Sequence, residues 1–117
     1  MDYMLLIQEP VGQREARTEA GGHAAYDRML RSADDLKARG ILRGIESLAS
    51  LVTAMRVTVR EGRPQIVDGP FAEAKEMIGG FFLIDCATQA EAVEIARQCP
   101  AAAWCTVEVR SLGPCDA

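Results

Sequence analysis

Residues 68–82 read Asp68-Gly69-Pro70-Phe71-Ala72-Glu73-Ala74-Lys75-Glu76-Met77-Ile78-Gly79-Gly80-Phe81-Phe82. Turn chemistry, charge and aromatic anchoring meet in this one stretch. Asp can bond its own backbone two residues on, Gly permits positive φ, and Pro fixes φ while removing a donor. Phe71 is placed to anchor the turn by burying its ring. The spacing predicts a single helical turn over 72–77, after which Gly79-Gly80 leads into a strand carrying Phe81-Phe82-Leu83-Ile84. Two readings follow. The segment is a tightly specified connection between two strands, or it lines a cleft in which neighbouring N–H groups hold Asp68, since loops on a rigid scaffold carry function.

Working outward, Tyr3-Met4-Leu5-Leu6-Ile7 is a short apolar run closed by Pro10 and Gly12, and it reads as a buried strand. Residues 9–20 are polar and read as a loop. From 22 to 39 the apolar residues Tyr26, Met29, Leu30, Ala33 and Leu36 recur at helical steps, with Gly40 placed to end the helix. Residues 41–48 form a second strand. Met55, Val57 and Val59 then alternate with Arg56, Thr58 and Arg60, and the turn Glu61-Gly62-Arg63 reverses the chain into Pro64-Gln65-Ile66-Val67, a hairpin. Thr88-x-x-Glu91 has capping-box spacing and opens a helix to about Gln98, which Pro100 stops. Cys105, Val107 and Val109 alternate with polar residues in a last strand.

The order is strand, helix, strand, hairpin, strand, helix, strand. That is a ferredoxin-like split βαβ arrangement with an extra β-hairpin, an α+β fold in one domain spanning 1–117. Its first and third principal strands, 3–7 and 81–84, lie at the sheet centre, and both are apolar on both faces. Such runs mark strands buried front and back. Two helices cover one face, which leaves Met, Leu and Phe side chains on the other. The sequence therefore predicts a homodimer associating through that sheet face.

The remaining composition excludes more than it assigns. With 117 residues and a net charge of −4, the chain has no Lys/Arg cluster to serve as a nucleic-acid footprint. No apolar stretch approaches the roughly 18–20 residues of a membrane span. Cys86, Cys99, Cys105 and Cys115 form no C-x-x-C pair, and a single His cannot complete a usual zinc site, so no metal or cofactor is expected. Reduced, structural thiols and the lack of a leader-like N-terminus point to the cytoplasm. No phosphate-binding glycine loop and no Ser or Cys nucleophile with an identifiable base are present.

The run from Val67 to Asp85 resembles the DGPF-domain proteins of the YCII-related family, whose pattern is close to D-G-P-F-A-E-T-K-E followed by a Gly-Gly-aromatic strand. Ala74 stands where that pattern has Thr. The likeness extends more weakly over the initial strand, Glu46-x-Leu48, the alanines at 101–103 and Val107-Glu108-Val109-Arg110. It implies a dimeric α+β barrel. It implies little about activity: DGPF proteins are largely uncharacterised, some are encoded beside extracytoplasmic-function sigma factors, and related YCII-type proteins include a muconolactone dehalogenase with a His–Asp pair in a cleft.

By that analogy His23 and Asp68 are the candidate catalytic pair. His23 precedes Tyr26 and Asp27 by one helical turn, and a carboxylate beside it would hold the imidazole cationic and fix its tautomer. The plainer alternative is a solvated His at a helix start. Tyr26, Gly69, Pro70, Phe71, Lys75 and Arg56 are the candidate ligand-binding residues, with Lys75 and Arg56 able to offer charge to an anion and otherwise reading as solvated positions. Trp104 reads as a packing residue. Three functions remain open: a small-molecule-binding dimer, a cofactor-independent lyase or isomerase trading a proton between Asp68 and His23, and a non-catalytic interaction module linked to sigma-factor stress regulation.

Overall fold

Strand β1 (Asp2–Pro10) alternates in burial residue by residue: Tyr3, Leu5, Ile7 and Glu9 are buried, while Asp2, Met4, Leu6 and Gln8 are half-buried. That alternation, in a computed structural model describing residues 1–116, divides the molecule into a helix-covered face and an open one. β1 pairs antiparallel with β5 (Glu76–Asp85) on one side and with β6 (Thr106–Ser111) on the other. β5 pairs antiparallel with β2 (Leu42–Ser47), giving the order β2-β5-β1-β6. β1 and β5 are thus the central strands, and the topology is the ferredoxin-like one.

Helices α2 (Glu19–Ala38) and α3 (Gln89–Gln98) pack on the face carrying Tyr3, Leu5, Phe82 and Ile84. Ala33, Leu36, Ala92, Ile95 and Ala96 meet those side chains in one core cluster. Leu5 and Ile84 are fully buried, and each is worth about 1.5–3 kcal/mol relative to an exposed side chain. On the opposite face Met4, opposite Leu83, and Leu6, opposite Phe81, are only half-buried and belong to neither core cluster.

Both long helices are capped by threonine. Thr88 accepts from the Glu91 amide at 3.2 Å as a capping box requires, while the Glu91 carboxylate reaches one residue further back and accepts from the Ala87 amide at 2.9 Å. Thr18 accepts from Gly21 N at 3.0 Å, so α2 begins at Glu19 rather than at about residue 22. The polar segment before it is not all loop, because α1 (Gln13–Ala16) lies within it.

The helical turn expected over 72–77 does not form. Ala74 N donates to Phe71 O at 3.0 Å in a single turn, and from Glu76 onward the chain already pairs with β1, Glu76 opposite Pro10 and Met77 opposite Glu9. A lone helical turn fixes several residues for one bond, and ladder bonds to an existing strand outcompete it.

The hairpin is a separate ribbon. β3 (Met55–Arg60) and β4 (Arg63–Asp68) pair only with each other, and every residue of both is exposed. The pairing runs one step past the ribbon's last pair, where Gly69 N donates to Ala54 O at 2.7 Å. The Arg56 guanidinium lies 3.7 Å from the centre of the Phe71 ring and pairs with Glu73 at 3.1 Å. Phe71 is buried, as a turn anchor should be. The radius of gyration is 16.1 Å, against about 13 Å for a compact chain of this length.

Candidate functional site

The covered face of the sheet is not filled along its whole length. Toward the Glu9 end of β1 the helices no longer press on the strands, and a cavity of about 580 Å³ opens between α1–α2 and the sheet. Ile7 and Glu9 of β1, Ile45 and Ser47 of β2, and Gly79, Gly80 and Phe82 of β5 form its floor. Gly22, His23, Ala25, Tyr26, Met29 and Leu30 of α2 form one wall, and Trp104 and Cys105 close another. The volume lies within the range of small-molecule sites, and the lining is mostly apolar with a few polar groups among it.

Those polar groups are organised by one ion pair. Glu9 occupies the next inward-facing position after Tyr3, Leu5 and Ile7, so its carboxylate is carried into the protein. α1 brings Arg14 over it: Arg14 Nε donates to Glu9 Oε2 at 2.7 Å, and Nη2 donates to Oε1 at 3.1 Å and to Gly79 O at 3.4 Å. Gly79 permits this approach, because a Cβ there would collide with Glu9 Oε1. Gly80 plays the same part toward β2, where a Cβ would lie 2.7 Å from Glu46 O. The Gly79-Gly80 pair thus leaves the floor open and lets the edge strand close in.

A second network holds the Trp104 wall. Gln13 Nε2 donates to Trp104 O at 2.6 Å, and Gln13 Oε1 accepts from Arg17 Nη2 at 2.9 Å. The guanidinium carbons of Arg28 and Arg17 lie 5.0 and 5.7 Å from the centre of the indole ring. Cationic side chains over an indole face are attracted by its quadrupole. The Cys105 thiol beside them is pushed up in pKa, chiefly by burial and then by the Glu9 charge. A protonated thiol is a small apolar wall element and a poor nucleophile.

Of the candidate residues read from the sequence, His23 and Tyr26 lie on the cavity wall, and both are exposed to solvent on it. Asp68, Gly69, Pro70, Phe71, Lys75 and Arg56 are not among its lining residues. Asp68 ends β4 opposite Met55, and among the described residues no ion pair or hydrogen bond joins its carboxylate to His23. Arg56 is engaged by Phe71 and Glu73, and the Lys75 carbonyl accepts from Val11 N at 2.9 Å. The DGPF segment therefore ties the hairpin to the body, while the cavity lies elsewhere.

Sequence reasoning missed Glu9, Arg14 and Arg17. One signal was available: continuing the inward parity of Tyr3, Leu5 and Ile7 by one step lands on an acid, which requires a cation or hydrogen-bond donors close by. Among the described residues there is no cluster of three or more His, Cys, Asp or Glu able to hold a metal ion, and no helix is long and apolar enough to cross a membrane.

Comparison with known proteins agrees with this architecture. Residues 1–115 match the YCII-related domain. The chain belongs to the YCII-related family. A protein of Rhizobium meliloti (strain 1021), described as uncharacterized, is 37% identical over 87 residues, covering 71% of this chain and 70% of that protein. Membership fixes the fold class, and the relative carries no assigned activity.

Proposed function

We propose that this YCII-related chain is a small-molecule-binding protein that acts as a homodimer, with the cavity between α2 and the sheet as its ligand site and the open sheet face as its dimer surface. The single observation carrying the ligand reading is the 580 Å³ cavity over a Gly79-Gly80 floor, with the buried Glu9 carboxylate paired to Arg14 at its base. The recess is concave, open to solvent along the α2 wall and mostly apolar with a few polar groups, as small-molecule sites are. The dimer reading is supported by the half-buried Met4, Leu6, Phe81 and Leu83, which form an apolar stripe with no helix above it. A cytoplasmic location is in keeping with four free cysteines.

The test is a thermal-shift titration with aromatic acids and lactones such as benzoate, cinnamate and coumarin. A member at 100 times its dissociation constant adds about 2.7 kcal/mol, which raises the melting temperature by about 10 °C for a domain of this size. Ala25→Phe, which fills the cavity from the α2 wall, is expected to abolish the response. No shift with any member, or equal shifts in both proteins, would count against this site.

A second reading is favoured by the position of His23 on the same wall. In it the protein is a cofactor-independent lyase or isomerase, and His23 exchanges a proton with a substrate held in the cavity; the partnership with Asp68 is the part the test decides, since Asp68 does not itself line that cavity. NMR titration of His23 in the native protein and in Asp68→Asn tests this directly. An unchanged imidazole pKa removes the pair.

A further inference from the structure

The β3–β4 ribbon has the patterning of a structure meant to be half-buried. Cross-strand register places Val57 opposite Ile66 and Val59 opposite Pro64, with Met55 completing the same face. Arg56, Val67, Thr58, Gln65, Arg60 and Arg63 occupy the other face, and Asp68, opposite Met55, ends the apolar face at the base of the ribbon. Alternation of this kind marks a ribbon with one face on an apolar surface and one in water. Yet Met55 is 61% exposed, Val57 62%, Val59 55% and Ile66 60%. An isolated two-stranded hairpin is marginal in water, so this face needs a partner surface.

We infer that the hairpin is an exchange arm that lays its apolar face on a second copy of this chain, extending the sheet-face contact of the dimer. The inference rests on the dimer reading above and goes beyond it by assigning the arm to the interface. Size argues for a second copy over an unrelated partner. A six-residue two-stranded ribbon offers a footprint of about 200 Å², well below the roughly 800 Å² per side of a stable specific interface. The arm therefore extends a larger contact and does not make one by itself. The same chain has that larger contact available in the open stripe of Met4, Leu6, Phe81 and Leu83, where Ile78 is also 43% exposed. Two-fold symmetry satisfies both surfaces at once, since each copy gives an arm and receives one.

Charge points the same way. Residues 55–68 carry three arginines, one glutamate and one aspartate, a net +1, which leaves −5 for the remainder of a chain whose total is −4. A mildly basic arm is drawn to an acidic body, and on the sheet's open side Glu46 stands opposite Phe81 and Glu108 opposite Leu6, with Arg110 opposite Met4 as the one cation among these pairings. The shape allows it, with principal extents of 47, 42 and 18 Å describing a flat molecule with a projecting ribbon.

The experiment compares the native protein with the double variant Val57→Lys/Ile66→Glu by sedimentation equilibrium. The two positions are cross-strand neighbours, so the substitution keeps the net charge and places an ion pair across the ribbon. The native chain is expected to be dimeric at micromolar concentration, and the variant to dissociate at least 100-fold more readily while keeping its near-UV circular dichroism. In a mixed sample of isotope-labelled and unlabelled native subunits, the methyls of Val57, Val59 and Ile66 are expected to show intersubunit NOEs. A native dimer whose variant associates equally well, or arm methyls with NOEs only to their own subunit, overturns the arm assignment and leaves the dimer standing. A native monomer overturns both.

Discussion

Glu9 and Arg14 form a two-pronged ion pair beneath the cavity, with contacts of 2.7 and 3.1 Å to a carboxylate whose side chain is only 8% exposed. The geometry is the fork-on-fork arrangement that orients a guanidinium most strongly. It connects strand parity to site chemistry: β1 delivers the acid, α1 delivers the base, and Gly79 provides room for both. Removing the base strands a buried charge. Arg14→Met is expected to cost about 2–3 kcal/mol in urea unfolding, reduced from the fully buried case because Arg14 is itself 31% exposed. Glu9→Gln combined with Arg14→Met should recover much of that loss.

Leu5 and Leu6 are adjacent in sequence and lie on opposite faces of the sheet, and they separate fold stability from association. Leu5→Ala empties a fully buried position and is expected to cost about 2–5 kcal/mol at any protein concentration. Leu6→Ala should cost about 1 kcal/mol in the isolated subunit, with a further loss in the dimer. Denaturant midpoints measured at low and high protein concentration distinguish the two. A concentration-independent Leu6→Ala effect would contradict the open face as a dimer surface.

Much of this plan is legible in the sequence. The central strands announce themselves as apolar runs, the hairpin by its alternation, and α3 by its Thr88–Glu91 box. Legibility ends where tertiary contacts decide the outcome. Residues 9–20 look like a loop because α1 has only four residues and is held by Arg14 on Glu9 and Gln13 on Trp104. The start of α2 is hidden because Gly21-Gly22 suggests a break, whereas Thr18 caps through Gly21 N. The conspicuous 68–75 motif draws attention to the base of the arm, away from the cavity, whose floor is set by an inconspicuous Gly-Gly pair and a single acid.

Gly69 is expected to be the least replaceable residue of that motif. A Cβ there would run into the Leu51 carbonyl oxygen and lie 3.1 Å from that of Ala54. Gly69→Ala should loosen the base of the arm. In hydrogen exchange, the amides of β3 and β4 should lose protection while those of β1 and β5 keep it. Equal loss throughout would mean that the arm is integral to the core.

Asp85 gives a pH dependence whose sign is fixed. Its carboxylate accepts from the Met1 amino group at 2.8 Å and from Arg43 Nη2 at 2.6 Å, and these bonds hold its pKa below the usual carboxylate value. A folded-state pKa below the unfolded one gives stability that is present above the unfolded value, about pH 4, and is lost as pH falls through the folded one. Asp85→Asn should therefore destabilise at neutral pH, with the gap to the native protein closing in acid. Unfolding curves at several pH values check this, and a gap that widens in acid would contradict it.

The cavity as a ligand site is tested most directly by methyl NMR on protein labelled at isoleucine and methionine, titrated with benzoate, cinnamate and coumarin. The expected result is saturable shifts at Ile7, Met29 and Ile45, with Ile66 on the arm unmoved. Silence at the three cavity methyls with every compound, or shifts confined to the arm and its base, would contradict the account.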